Sequence, residues 1–449
     1  MKLFQFTALF TEEGWISPAY VGVNSTGQIT SINKTKPSEP FTDFEKIDGY
    51  VLPGFQNAHS HAFQYGMAGI AETHQPGTDD DFWSWREAMY RCALSFSPDE
   101  LKKVALNLYR RMLKNGYTQV AEFHYLHHDQ DGKPYANLAE TGTALIEAAA
   151  EAGIKITLVP VFYQKGNFGT SFYPQQRRFI SKTYEDYFKL LESSRKAVDY
   201  YENAQLGFGV HSMRAVDACD IIATVAQGPK DLPFHIHAAE QLKELDDCKN
   251  HLGTTPVDWL LDKVGLDERF HLVHCTHLSD EELHGVAKSK ANVVLCPGTE
   301  GNLGDGIFRL RDFHAAGGNW SIGTDSHISL NPLEDFRWMD YAQRLVSHKR
   351  NTFSDGGRTL LHQSLVNGRK AMGTNNEKYF SIGASFDAVV YRADNPVLQQ
   401  AGSEHLLPAI IYNSDSSDVR GTIVDGQWVV EQAEQPVSSR ETWDVSRES

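Results

Sequence analysis

Eight short apolar runs of β type, each followed by a longer stretch of helical pattern, constrain this chain more than any other feature. They span 51–58, 118–123, 154–162, 206–211, 234–237, 270–274, 291–296 and 319–324. Such alternation marks a parallel sheet, and eight strands are the number that closes a (β/α)8 TIM barrel. The intervening segments carry helix signals. Ser97-Pro98-Asp99-Glu100 supplies an N-cap serine, a proline at the first helical position and an acidic first turn ahead of Leu101 to Lys114. Ser279-Asp280-Glu281-Glu282 resembles a capping box ahead of Leu283 to Lys288.

A barrel alone takes about 250 residues, and the chain has 449. The surplus falls largely at the two ends. Residues 1–50 are short alternating segments bounded by Gly, Asn and Ser turns, and 386–391, 409–412 and 419–430 read as strands as well. The expected fold class is therefore α/β. The barrel covers 51–380, and a small β-sandwich subdomain is built jointly from 1–50 and 381–435. A polar, frayed tail follows over 436–449. The long connection from Ala62 to Phe96 carries Phe82, Trp83 and Trp85. A connection of that length is usually functional or disordered. Its aromatics predict an ordered lid over the barrel mouth, the alternative being a surface apolar patch.

Net charge is −16, which disfavours non-specific nucleic-acid binding or an anionic membrane surface. Five scattered cysteines without a Cys-x-x-Cys pair indicate neither a disulfide framework nor a thiolate metal knuckle. The N-terminus makes a poor signal peptide, because Gln5 and Thr7 interrupt its apolar patch and Thr11-Glu12-Glu13 follows. No apolar run reaches the roughly 18 residues of a membrane span. A cytoplasmic protein is expected.

Chemistry concentrates at the ends of the strand-like runs, the face on which barrels build active sites. The first run leads into His59-Ser60-His61. In a strand, alternate side chains share a face, so both imidazoles point the same way. An isolated His-x-His is weak evidence for a metal, and His235 and His237 repeat the pattern. Added to His237 on strand five, His274 on strand six and Asp325 after strand eight, it becomes a metal site. Three imidazoles and one carboxylate (His59, His61, His237, Asp325) suit one divalent ion, zinc for preference, with a position left for water. Strand four contains no lysine to bridge a second ion. Zinc brings the pKa of a bound water toward about 7, so a hydrolase is implied. Glu240, three residues past His237, is a candidate acid/base, although a glutamate there could equally be a solvated first-turn residue. His274 could be a direct ligand or a base paired with Asp325. With four ligands already assigned, it is read as the base.

Pro53-Gly54-Phe55-x-Asn57-x-His59-x-His61, with His237, His274 and Asp325, resembles the amidohydrolase superfamily, and Glu240 resembles its deaminase branch. Further segments resemble the N-formimino-L-glutamate deiminases. These are His59 to Gln64, Phe82-Trp83-Ser84-Trp85-Arg86, Gly209 to Val216, and Cys296-Pro297-x-Thr299-Glu300-x-Asn302-Leu303-Gly304-Asp305-Gly306. The last motif departs from that group at Gly298 and Gly301, where bulkier residues are usual. The resemblance implies hydrolysis of a formimino C=N to give N-formyl-L-glutamate and ammonia in histidine breakdown. A homodimer is the usual state of such proteins. The residues fit an anionic amino-acid derivative, because arginine binds carboxylates through two parallel bonds. Arg86 in the lid and Arg214 past strand four, with Gln64, Tyr125 and His211, are the expected substrate contacts. Either arginine alone could be a surface ion pair. The rival substrates are a nucleobase, pterin or guanidino compound, the first of which would call for stacking aromatics and amide readers.

Overall fold

The computed structural model describes residues 1–38, 41–70, 72 and 81–432. Its centre is a parallel sheet of eight strands: β1 (Phe55–Ser60), β2 (Tyr117–His124), β3 (Lys155–Phe162), β4 (Phe208–Ser212), β5 (Phe234–Ala238), β6 (Phe270–His274), β7 (Asn292–Leu295) and β8 (Asn319–Ile322). Each pairs in parallel with the next. The ring closes just past β8. The N–H groups of Thr324 and Asp325 both reach the His59 carbonyl at 3.0 Å, and the His61 N–H reaches the Asp325 carbonyl at 3.2 Å. The Asn57 side chain clamps the same seam, donating to Thr324 Oγ1 at 2.8 Å and accepting from the Thr324 N–H at 3.0 Å. The fold is thus a (β/α)8 barrel. A ninth short strand, Ala204–Leu206, pairs on β3, so the run expected at 206–211 begins β4 only at Phe208.

Helices fill the connections and cover the outside of the barrel. The helix Pro98–Lys114 starts with Ser97 as its N-cap and Pro98 at its first position, as expected, and Ser97 and Glu100 also form a capping box. It buries Leu101, Ala105, Leu108, Tyr109, Met112 and Leu113, the one-face spacing of an amphipathic helix. The helix Asp280–Ser289 has the expected capping box between Ser279 and Glu282. β2 is buried at all eight of its positions. Such strands read as continuous apolar runs because both faces are covered. Ala58, Val273, Val294, Cys296 and Ala371 form a small apolar cluster of their own.

Both chain ends join in a second sheet of eight strands. The N-terminal strand Lys2–Thr11 runs parallel to Asp43–Pro53, and the C-terminal strand Ala388–Arg392 pairs antiparallel on the other side of Asp43–Pro53. Two expectations shift here. The strand expected at 51–58 is two strands, because Val51 and Leu52 pair with Val390 and Val389 in the terminal sheet, whereas Phe55 onward belongs to the barrel. Gly54 makes the break possible: a Cβ there would lie 2.3 Å from Thr118 Cγ2. The strand expected at 409–412 is instead the end of a helix, Pro396–Asn413, interrupted at Gly402 (φ 61°). It buries Leu406 and Ile410 one turn apart, and a four-residue apolar run does not distinguish the two periods. The tail expected over 436–449 lies outside the described residues. No helix among the described residues is long and apolar enough to cross a membrane.

Candidate active site

The barrel brings His59, His61, His237 and Asp325 together, each contributing a donor atom within 4.8 Å of the others. His59 Nε2 lies 3.1 Å from both His61 Nε2 and His237 Nε2. Asp325 Oδ1 lies 3.3 Å from His61 Nε2 and 3.7 Å from His59 Nε2. The Nδ1–H of His61 donates to the Phe123 carbonyl at 2.8 Å, and that of His237 donates to the His211 carbonyl at 2.9 Å. With those protons committed, the Nε2 atoms of His61 and His237 carry lone pairs turned toward the Nε2 of His59, whose own Nδ1 has no partner among the described residues. Burial holds His59 and His237 well below the ordinary histidine range and lowers His61 to about 3, so the rings are neutral. Three neutral imidazoles and one carboxylate are a donor set for zinc, so the residues fit the metal.

His274 sits beside this group at the end of β6. Its Nε2 is 3.6 Å from Asp325 Oδ2 and 3.7 Å from Glu240 Oε1, and its Nδ1 is 3.3 Å from Glu300 Oε1. Burial opposes charge on this ring, but Glu240, Glu300 and Asp325 outweigh it and push the imidazole up to about 10. Burial raises Asp325 to about 7, with His274 working against the shift. The backbone here is left-handed at Ala239 (φ 52°), His274 (φ 73°), Cys275 (φ 53°) and Asp325 (φ 46°). Strain of this kind in non-glycine residues concentrates at functional sites.

Glu300 was not among the expected site residues. It lies on the short helix Pro297–Leu303, buried, with Oε1 also accepting the Cys296 N–H at 2.9 Å. Its motif was visible in the sequence, but nothing local marked the carboxylate as a partner of His274. Gly298 and Gly301, the two departures on the same helix, do not need to be glycine. An added Cβ would meet nothing closer than 3.5 Å at the first and nothing within 4 Å at the second.

A small cavity opens onto this centre, and all five expected substrate contacts line it: Gln64, Arg86, Tyr125, His211 and Arg214. Gln64 Nε2 donates to Tyr125 Oη at 3.0 Å. Burial, with Arg214 adding, holds His211 neutral. The aromatics of the expected lid stand at the start of a helix, Phe82–Ser95, capped by Asp81. Arg86 on that helix stacks 4.5 Å over the Trp83 ring, and its buried Nε has no hydrogen-bond partner among the described residues. Arg214 is less free than expected. Its Nη2 donates to Glu240 Oε2 at 2.9 Å, and its Nε faces Glu244 Oε1 at 3.8 Å, while Nη1 has no hydrogen-bond partner among the described residues. Glu244 also accepts the Glu240 N–H at 3.0 Å, so Glu240 is gripped from two sides. Tyr163, after β3, lines the same cavity and was missed by sequence reasoning.

A parallel barrel with histidines from β1 and β5, an aspartate after β8 and a histidine from β6 at its mouth is the architecture of a metal-dependent hydrolase. The chain belongs to the amidohydrolase family, whose model matches residues 50–429. It is 42% identical over 435 residues to formimidoylglutamate deiminase of Pseudomonas aeruginosa, covering 94% of each protein. A crystal structure of an amidohydrolase from Brucella melitensis superposes with a TM-score of 0.88 at 40% identity, covering 96% of this chain and 95% of that one. A guanine deaminase from C. acetobutylicum with bound guanine shares the fold at 20% identity and a TM-score of 0.77, covering 96% of this chain and 100% of that one.

Proposed function

We propose that the protein is a metal-dependent deiminase that converts N-formimino-L-glutamate and water to N-formyl-L-glutamate and ammonia. The observation that carries this reading is the cavity with two arginines facing a His3Asp centre. The 42% identity to a formimidoylglutamate deiminase supports it. A nucleobase would offer no carboxylate to Arg86 or to the Nη1 of Arg214, whose other nitrogens already face Glu240 and Glu244, which disfavours the purine and pterin alternatives.

His59, His61, His237 and Asp325 hold the ion. When bound, the metal supplies Lewis acidity and brings water within reach of deprotonation near neutral pH. His274 is held charged while Glu240, Glu300 and Asp325 face it, and would take up the water's proton only once a bound cation offsets those carboxylates; its Nδ1 is held by Glu300 and its Nε2 points toward Asp325. Glu240 hydrogen-bonds the imino nitrogen and relays to it the two protons of the attacking water, received by way of His274, whose Nε2 lies 3.7 Å from Glu240 Oε1, so that the C–N bond breaks, ammonia leaves and the formyl C=O forms. Arg214, through its free Nη1, and Arg86 bind the two carboxylates, and Gln64, Tyr125 and His211 complete the polar wall. Zinc as the ion, a cytoplasmic location and a homodimeric state complete the reading, which calls for neither nucleic acid nor membrane.

The amidine offers two C–N bonds, and the product distinguishes them. With the formimino carbon isotopically labelled, NMR of the zinc-loaded reaction should show N-formyl-L-glutamate and one equivalent of ammonia. Formamide and free glutamate would mean that the other bond breaks, and Glu240 would then have been assigned to the wrong nitrogen.

A further inference from the structure

Glu122, near the end of β2, touches neither the cavity nor the four candidate ligands, yet it is buried beside the histidine pair at 1% exposure. The β1–β2 register sets it against Ser60. Its Oε2 accepts from Ser60 Oγ at 2.7 Å and from Tyr109 Oη at 3.1 Å, and its Oε1 accepts the Ala62 N–H at 2.6 Å. One carboxylate therefore grips the chain immediately before and immediately after His61. The next residue on the same strand, Phe123, takes the His61 Nδ1 proton. Ser60 and Ala62 flank His61 at the point where β1 ends and the following helical turn, Ala62–Met67, begins. Burying a negative charge is costly, and burial raises the Glu122 carboxyl to about 7 against the three hydrogen bonds that favour the anion. A glutamine of the same shape could keep much of this network, since the two hydroxyls can accept as well as donate. What the glutamine lacks is the charge.

We propose that Glu122 is a positioning residue for the metal. It fixes the turn through Ser60 and Ala62 so that His59 and His61 present their Nε2 atoms to one point, and its negative charge offsets that of the bound cation. The inference rests on the metal reading of the His3Asp site and is independent of which substrate is used.

The test measures metal affinity with no substrate present. Metal-stripped full-length protein is titrated with Co2+ against a competing chelator, and the absorption bands of the Co2+-loaded form are recorded. Carboxylates outside a metal's own ligands typically change affinity by about 10–100-fold, and that weakening, with shifted Co2+ bands, is expected for Glu122→Gln and Ser60→Ala. Tyr109→Phe is the control, since it removes a bond to the same carboxylate from the helix side; its affinity should stay within about threefold of the parent. Unchanged affinity and bands in both Glu122→Gln and Ser60→Ala would overturn the proposal, as would equal weakening in Tyr109→Phe, which would indicate a general loss of local stability. If Glu122→Gln does not fold, Ser60→Ala decides alone, because it deletes a single hydroxyl. A parent protein that takes up no Co2+ would remove the metal site and the proposal together. Failure confined to the variants would leave the proposed reaction standing.

Discussion

Replacing Arg214 by methionine should damage the protein in two ways that replacing Arg86 does not. Arg214 lies 2.9 Å from Glu240 and 3.8 Å from Glu244, and the three side chains are 5%, 6% and 0% exposed. At an effective dielectric of about 20, unit charges at those separations attract by about 6 and about 4 kcal/mol. Removing the guanidinium leaves two carboxylates facing each other in the dry. Protonation of one of them relieves part of the strain, and breaking a buried pair typically costs about 3–5 kcal/mol net. Arg86 has no carboxylate partner among these contacts, and losing its stacking on Trp83 should cost about 1 kcal/mol. Urea unfolding followed by tryptophan fluorescence measures the difference. Kinetics supply the second half. Arg214→Met should lower kcat at least about a hundredfold, because Glu240 loses an anchor as well as the substrate losing a clamp. Arg86→Met should raise KM with kcat within about threefold, the mark of uniform binding lost. If Arg214→Met were as stable as Arg86→Met and altered KM alone, Arg214 would be a substrate clamp and nothing more, and the account of how Glu240 is held would be wrong.

Glu240→Gln should keep its full metal content, measured by atomic absorption, while turnover falls at least about a hundredfold. Glu300→Ala frees His274 Nδ1 and should lower kcat by about 10–100-fold without loss of metal, read from steady-state kinetics and metal analysis on the same sample. Burial holds His127 down at about 3, against about 6.5 in the unfolded chain. The unfolded state therefore takes up the proton first, and the parent loses stability as pH falls below that unfolded value. Relative to His127→Gln, the parent should lose about 2 kcal/mol between pH 7.5 and pH 5, measured by urea midpoints at both values. Gly301→Ala adds a methyl group where nothing lies within 4 Å. It should stabilise the protein by about 0.5–1 kcal/mol, visible as a raised melting temperature at unchanged activity.

The barrel was legible because its strands are covered on both faces, so β2 and its neighbours stand out as apolar runs between amphipathic helices. Where legibility failed, two elements shared one composition. Val51–Leu52 and Phe55 onward are apolar on both sides of Gly54, and only pairing partners assign them to different sheets. Ala409–Tyr412 is too short a run to reveal its helical period. The four candidate ligands were legible because each is a histidine or aspartate at the end of such a run. Glu300, Glu244, Glu122 and Tyr163 were not. A glutamate inside a helix or a strand carries no local signature of its partner, and these four acquire their neighbours only when the ring closes. The pairing of Arg214 with Glu240 was hidden for the same reason, since 26 positions separate them in the chain.

The proposed function requires that the His3Asp centre and its two arginines select a formimino amino-dicarboxylate over a nucleobase. The most direct measurement compares initial rates of ammonia release by the zinc-loaded protein from N-formimino-L-glutamate, guanine and adenosine at equal concentration. The account predicts rapid release from the formimino compound and none above background from either purine. Release from a purine, or silence on all three with zinc confirmed in place, would contradict it.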